Sequence, residues 1–391
     1  LLRFLFDTLL HHRFDVINVN SGTTVREIEQ LVAERQADRS SDSVFIFLDE
    51  MNTADPDVIA FTKELMLDRH MNGVRLQDKV HILAAVNPYR CQRNDSTRAT
   101  VGLVRQQFQQ QQNNNHSGQA GVGSLVYRVN RIPLAFFDHA YDFGHLEPAA
   151  EAEYLKQLCQ QAQFPHLATI LIKCHCAVRE LSDDPRSAVS MRDATRAITI
   201  FQWFNGTPAG RILCPSDKDR EYLTIYLVYA FRFPSQQRER FLAKCTQAIL
   251  VAQALRKAAA QITERLFSRI SRSATIGAGV VALNDALCEN LFALYVCVLT
   301  GTFCIIVGRP GTSKSLSVEI LKLALSPSQS ALRKELGNLP AILEHYHQCS
   351  PLSTSLGFTA VFDSAAKLAQ NPDNRALVVL DERSEERRVG K

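Results

Sequence analysis

Apolar positions early in the chain gather into short, nearly continuous runs. Residues 15–20, 44–48 and 80–86 are β-type runs, with 23 and 31 residues of polar or helix-patterned sequence between them. That spacing predicts parallel strands joined by helical crossovers, since a strand covered on both faces has no polar side to alternate with. Val44-Phe45-Ile46-Phe47-Leu48 is the clearest of the three. Beyond it Pro56 suits a first helical turn, and Val58, Phe61, Leu65 and Leu67 mark an apolar helix face. Leu125-Val126-Tyr127-Arg128-Val129 resumes a strand pattern. From Glu147 to about Lys257 the period turns helical, with breaks near Pro185, at Gly206-Thr207-Pro208 and near Pro234. A second α/β pattern opens near residue 303.

Two stretches continue none of these patterns. Residues 106–123 are a Gln/Asn run followed by Ser117-Gly118 and Gly121-Val122-Gly123, which reads as a surface insertion carrying no chemistry. Residues 383–391, six of the nine charged, continue no pattern and are set aside as a non-native tail. The expected division is an α/β domain over 1–145, a helical lid and linker over 146–270, and the start of a second α/β module over 271–382.

Composition narrows this picture only slightly. A chain of 391 residues, 46% hydrophobic and 21% charged, has room for two or three cores. A net charge of +4 argues for neither nucleic acid nor an anionic membrane surface. The opening Leu1-Leu2-Arg3-Phe4-Leu5-Phe6 lacks the basic leader and cleavage site of a signal peptide. Residues 291–308 run 18 positions without a charge, long enough to span a bilayer. Thr300-Gly301-Thr302 interrupts them, however, so a buried helix followed by a buried strand is expected, and no transmembrane segment. The ten cysteines are scattered. Cys174-His175-Cys176 has no second ligand pair to complete a zinc site, and thiols in a reducing cytosol are the reading adopted.

Gly308-Arg309-Pro310-Gly311-Thr312-Ser313-Lys314-Ser315 carries the strongest chemical signal. The apolar run 303–307 leads into it, and Leu316, Ile320 and Leu323 share one face of the helix expected after it. Strand, loop and helix in that order are what a phosphate-binding loop requires. The backbone of Gly308, Gly311, Thr312 and Ser313 and the helix N-terminus would cradle phosphates. Lys314 would reach the β- and γ-phosphates, and Ser315 would ligate Mg²⁺. Ser313 departs from the usual glycine and adds a Cβ where the backbone nears phosphate.

Two acidic pairs fit the same machinery. Run 44–48 ends in Asp49-Glu50 and run 376–380 ends in Asp381-Glu382. At a strand tip the Asp can hold Mg²⁺ and the Glu can polarise water, although a solvated strand end has the same composition. Residues 81–86 end in Asn87-Pro88, where Asn87 could contact a γ-phosphate and its attacking water, or simply open a turn. Ser190-Met191-Arg192-Asp193 starts a helix, and Arg192 or Arg196 either reaches back to a nucleotide or decorates a capped helix. Arg90, Arg93, Arg105 and Arg128 stand unranked as arginine-finger candidates.

With these residues the chain resembles the mysterin-type giant AAA+ ubiquitin ligases. The resemblance rests on Phe47-Leu48-Asp49-Glu50-Met51-Asn52-Thr53, Ala85-Val86-Asn87-Pro88-Tyr89-Arg90, Leu125-Val126-Tyr127-Arg128-Val129 and Tyr141-Asp142-Phe143-Gly144. The Ser-Lys-Ser loop and Gln348-Cys349-Ser350-Pro351 add to it, in order along residues 1–382. It implies two partial P-loop AAA+ modules with a helical lid between them, using ATP and Mg²⁺. Asp49 and Glu50 would then be the Walker B pair of the earlier module, Asn87 its sensor 1 and Arg192 its sensor 2. Gly308, Gly311, Lys314 and Ser315 would be the Walker A of the later module, with Asp381 and Glu382 as its Walker B and Ser313 as a family feature. The earlier module's phosphate loop would precede Leu1. Partners would be neighbouring modules of the same chain and, through the parent protein, the ubiquitin machinery.

Three functions follow. The leading one is an ATP-hydrolysing mechanochemical core within a ubiquitin ligase. A dynein- or midasin-like motor without ligase activity is the second, separated from the first by a RING or zinc cluster elsewhere in the gene. A non-hydrolysing scaffold is the third, and the acidic pairs argue against it, since a scaffold has no use for a water-positioning Glu50 or Glu382.

Overall fold

A computed structural model of the chain describes residues 2–38, 42–87, 129–142, 144, 146–182, 188–270, 283–308, 311–350, 353, 355–371 and 373–382. The chain divides into two units, Leu1–Phe143 and Gly144–Lys391.

In the first unit β1 (Arg13–Asn18), β2 (Val44–Asp49) and β5 (Val80–Ala84) form a parallel sheet in the order β1-β2-β5. β1 begins and ends two residues before the apolar run that announced it. Asn20 leaves the ladder for a turn, its Oδ1 accepting from the Gly22 N–H at 2.8 Å while its own N–H donates to Thr23 Oγ1 at 3.0 Å. Helix α1 (Val25–Ala37) starts on a capping box in which Thr24 and Glu27 satisfy each other's backbone N–H groups. Arg35 near its end ties back to Asp15 of β1 at 2.7 Å. Helix α2 (Pro56–Lys63) begins on Pro56.

β2 is the spine of this unit. Val44, Ile46 and Leu48 are buried among Ile28 and Val32 of α1 and Val58, Ile59 and Phe61 of α2. Each fully buried aliphatic side chain of this kind contributes about 1.5–3 kcal/mol. The opposite face is aromatic: Phe45 stacks on Phe6 at 4.1 Å and Phe47 on Phe14 at 5.9 Å. A small hairpin of β3 (His70–Met71) and β4 (Val74–Arg75) turns at Asn72-Gly73, both with positive φ. That pairing of residues suits a two-residue hairpin turn because each tolerates the left-handed region.

The second unit is mainly helical, with α3 (Pro148–Gln161), α4 (Leu167–Leu181), α5 (Met191–Gly206), α6 (Pro208–Leu213), α7 (Asp217–Val228), α8 (Ser235–Cys245) and α9 (Ala248–Ile270). Thr207 closes α5 and caps α6 through its hydroxyl, which accepts from the Gly210 N–H at 3.0 Å. Gly210 permits the sharp bend: a Cβ there would lie 2.6 Å from Phe204 Cα and from the Trp203 carbonyl oxygen. Then come α10 (Asp285–Thr300), α11 (Lys314–Ala324), α12 (Ser330–Glu335), β6 (Ala341–Cys349), α13 (Ser355–Leu368) and β7 (Asn374–Glu382). One hydrophobic core runs through the whole unit, from Leu155 and Phe204 through Tyr229, Phe241 and Leu266 to Tyr295, Ile320 and Ile342. No described helix is long and apolar enough to cross a membrane.

Two features depart from the sequence reading. Residues 303–307, expected as a buried strand, form none; Phe303, Ile305 and Val307 are 72%, 76% and 70% exposed while Ile306 packs on the core. A run apolar at every position is satisfied as a strand only when covered on both faces, and the described residues cover one. The second is β6, which pairs in parallel with β7 from Ala341↔Asn374 to Cys349↔Glu382. Its Glu344, His345, His347 and Gln348 disguise a strand.

Candidate functional site

The loop at 308–315 opens α11. Gly311 and Ser313 both take left-handed conformations, with φ of +83° and +60°, and Ser313 is the N-cap. The side chain of Lys314 turns back into the loop, its Nζ donating to the Gly308 carbonyl at 2.6 Å and lying 3.5 Å from Thr312 Oγ1. A Cβ at position 308 would lie 2.8 Å from that same hydroxyl, so glycine keeps the loop tight. Ser315 is exposed in the first helical turn, where N–H groups and the helix dipole favour an anion. From α10, Asn290 donates to the Thr312 carbonyl at 3.0 Å and holds the loop from behind. Arg309 and Pro310 lie outside the described residues. What is described fits a polyphosphate: a glycine-lined turn, an ammonium directed into it and a helix N-terminus beneath.

The direction of β6 decides where the acidic pair lies. Ile342 N–H donates to the Leu325 carbonyl at 2.8 Å, and Lys322 pairs with Glu344 at 2.8 Å. The strand therefore advances as the helix retreats, and the two run antiparallel. About 12 Å of helix separate Lys322 from Lys314, and about 13 Å of strand separate Glu344 from Gln348. Gln348 is in register with Asp381. The loop and the Asp381-Glu382 pair are thus at the same end of the layer. Tyr346, two residues before Gln348, donates its hydroxyl to Asp381 Oδ2 at 2.8 Å.

In the first unit the tips of β2 and β5 bring Glu50 and Asn87 to one sheet edge. Glu50 sits in the left-handed region at φ 56°, which costs a non-glycine residue about 1 kcal/mol or more. The turn Met51–Thr53 holds it there. Thr53 Oγ1 donates to the carbonyls of Glu50 at 2.8 Å and Val19 at 2.9 Å, and Met51 N–H donates to Ala85 O at 2.9 Å. Asn52 is buried, and its amide exchanges two hydrogen bonds with the main chain of Asn87, at 2.8 and 3.0 Å. Asp49 is in register with Asn18 of β1. The finger candidates Arg90, Arg93, Arg105 and Arg128, the insertion 106–123 and the tail 383–391 lie outside the described residues.

Arg192 is exposed on the first turn of α5, in the second unit. Asp193 fixes that helix start: its carboxylate accepts from Ser190 N–H at 2.9 Å and from Arg232 at 2.6 Å. Arg196 lies 3.5 Å from Asp193 and sits over the Phe303 ring, 5.4 Å from its centroid. Cys174-His175-Cys176 lies on α4. His175 is buried, with Nδ1 2.7 Å from Glu151 and Nε2 3.2 Å from the Tyr229 hydroxyl. Burial lowers the His175 pKa. Burial alone would raise that of Glu151, but the Arg179 and His175 hydrogen bonds hold it below the usual carboxylate range.

A family model described as RNF213 AAA domain matches residues 280–387, the stretch that holds the loop and β7. Nearly the whole chain aligns with E3 ubiquitin-protein ligase rnf213-beta of Danio rerio, 27% identical over 426 residues and 98% of this chain. E3 ubiquitin-protein ligase RNF213 aligns likewise, at 26% over 98% of the chain from Mus musculus and 27% over 94% from Homo sapiens. The chain is thus similar to RNF213-type ligases along nearly its whole length, and to the RNF213 AAA domain over residues 280–387. It spans 8% of the length of each of those relatives. The family match covers α10 through β7 of this chain, and the whole-length alignments extend over the strand tips at Asp49, Glu50 and Asn87. Sequence reasoning assigned no role to Asn52, Asn290 or Tyr346. Asn52 stood inside the Asp49–Thr53 motif and was the one of the three with a visible signal.

Proposed function

We propose that this chain carries parts of two AAA+ modules that bind and hydrolyse ATP with Mg²⁺ as the motor of an RNF213-type ubiquitin ligase. One observation carries the reading: a glycine-lined loop with Lys314 turned into it, at a helix N-terminus facing the same end as Asp381. Bound Mg²⁺ would neutralise charge between the β- and γ-phosphates. Around it, the backbone of Gly308, Gly311, Thr312 and Ser313 wraps phosphate, Lys314 supplies the pairing charge, Ser315 and Asp381 hold the metal, and Glu382 orients water. In the earlier module Asp49 holds the metal, Glu50 orients the water and Asn87 contacts the γ-phosphate. Helices from 146 to 270 serve as lid and linker, with Arg192 as the residue reaching the nucleotide. Neighbouring modules of the same cytoplasmic parent chain complete the motor, and its other regions engage the ubiquitin machinery.

The test uses the full-length protein. Lys314→Ala should weaken ATP binding at the later module, as read by nucleotide titration, because it removes the charge paired with the phosphates. With that module silenced, Glu50→Gln should leave ATP bound but uncleaved at the earlier one, a loss confined to the transition state. Unchanged affinity in the first variant, or unchanged turnover in the second, refutes the assignment of that module.

A further inference from the structure

Asn52 is 1% exposed, yet packing alone does not call for an amide there. Its side-chain amide is spent on one residue, Asn87, just beyond the end of β5. Nδ2 donates to the Asn87 carbonyl at 2.8 Å, Oδ1 accepts from the Asn87 N–H at 3.0 Å, and the main-chain carbonyl accepts from Asn130 N–H at 2.7 Å. The backbone ladder from β2 to β5 ends with Ala85 N–H to Leu48 O and Met51 N–H to Ala85 O, both 2.9 Å. Past that point the chain of β2 has turned away at Glu50. A carboxamide presents the same donor and acceptor as a peptide unit, so the Asn52 side chain adds one more rung to the ladder.

We infer that Asn52 is a positioning residue that fixes Asn87 in height beside Glu50, so that the water-orienting and phosphate-contacting tips move as one body. The inference rests on reading Glu50 and Asn87 as the hydrolytic pair. Its physical content is specific. The bonds of Asn52 go to the backbone of Asn87 and do not engage that residue's side chain. Losing them therefore degrades geometry in the transition state more than ground-state binding.

The experiment uses the full-length protein with Lys314→Ala silencing the later module. Asn52→Asp is nearly isosteric and keeps an acceptor for the Asn87 N–H, but it sets a carboxylate oxygen against the Asn87 carbonyl. We expect ATP turnover to fall about 10- to 100-fold while the Kd for ATP stays within about threefold. In an Asn87→Ala background the same substitution should cost less than about twofold, because its effect travels through Asn87. Asn52→Gln, which keeps the amide, should recover part of the turnover lost in Asn52→Asp. Equal loss of affinity and turnover, or effects of Asn52→Asp and Asn87→Ala that multiply, would overturn the inference. A Glu50→Gln protein without turnover beside an Asn52→Asp protein with full turnover sinks the inference alone. A Glu50→Gln protein that still hydrolyses ATP sinks the hydrolytic reading and the inference with it.

Discussion

Asp193→Ala removes a carboxylate that is 13% exposed and joins three groups near the start of α5. Its Oδ2 accepts the Ser190 N–H at 2.9 Å, an N-terminal capping bond of about 1 kcal/mol. Oδ1 accepts from Arg232 at 2.6 Å; a hydrogen bond between charged groups contributes about 1.5–3 kcal/mol. The lower end applies, since Arg232 is 27% exposed and keeps bonds to the carbonyls of Ala188 and Val228 at 2.8 and 3.0 Å. The more open Arg196 pair at 3.5 Å adds little. The expected loss is about 2.5–3 kcal/mol. Trp203, the only tryptophan, lies on the same helix and packs edge-on against Phe204 and Tyr295, so its fluorescence reports unfolding of this unit. Urea titration should show a lower midpoint at unchanged slope. Arg232→Met should couple to Asp193→Ala by about 1.5 kcal/mol in a double-mutant cycle. A loss below about 1 kcal/mol, or strict additivity of the two, would mean that the carboxylate is merely solvated and does not fix the helix that presents Arg192.

Gly210→Ala would drive a methyl against the Phe204 Cα and the Trp203 carbonyl, both backbone, and should destabilise the same unit by about 1–3 kcal/mol; a Trp203 unfolding midpoint equal to wild type would contradict this. Acidification is predicted to act through His175, whose pKa burial holds below its ordinary 6.5. The unfolded chain therefore takes up the proton first, so the contribution of neutral His175 is intact above about pH 6.5 and declines as pH falls from there toward the folded pKa. His175→Gln should flatten that part of the stability profile, and an unchanged slope between pH 7 and 5 would count against it.

What was legible in the sequence was local. β2 announced itself because both faces are apolar, and the loop at 308–315 because its chemistry is written in consecutive residues. Asn72-Gly73 also carries a local hairpin signal, but it went unread because its strands, two residues long, have no alternation to accompany it. β6 stayed hidden because Glu344 and the two histidines interrupt its apolar pattern, and only the long-range partner Lys322 explains the first of them. The run 303–307 erred in the opposite direction, since apolar composition cannot say how many faces the fold will cover. Among the candidate site residues, Asp49, Glu50 and Asn87 were read as strand ends. The role proposed for Asn52 depends on a partner 35 positions away and required the register of β2 against β5.

The single core of the second unit has a mechanical consequence. Interiors packed as densely as organic crystals are nearly incompressible and pass displacements on instead of absorbing them. α10 contributes Leu291, Phe292 and Tyr295 to that interior, and its Asn290 grips the Thr312 carbonyl. A pull on the 308–315 loop is therefore felt as a load on α10 and, through the same interior, on Phe204 of α5 and Tyr229 beyond α7.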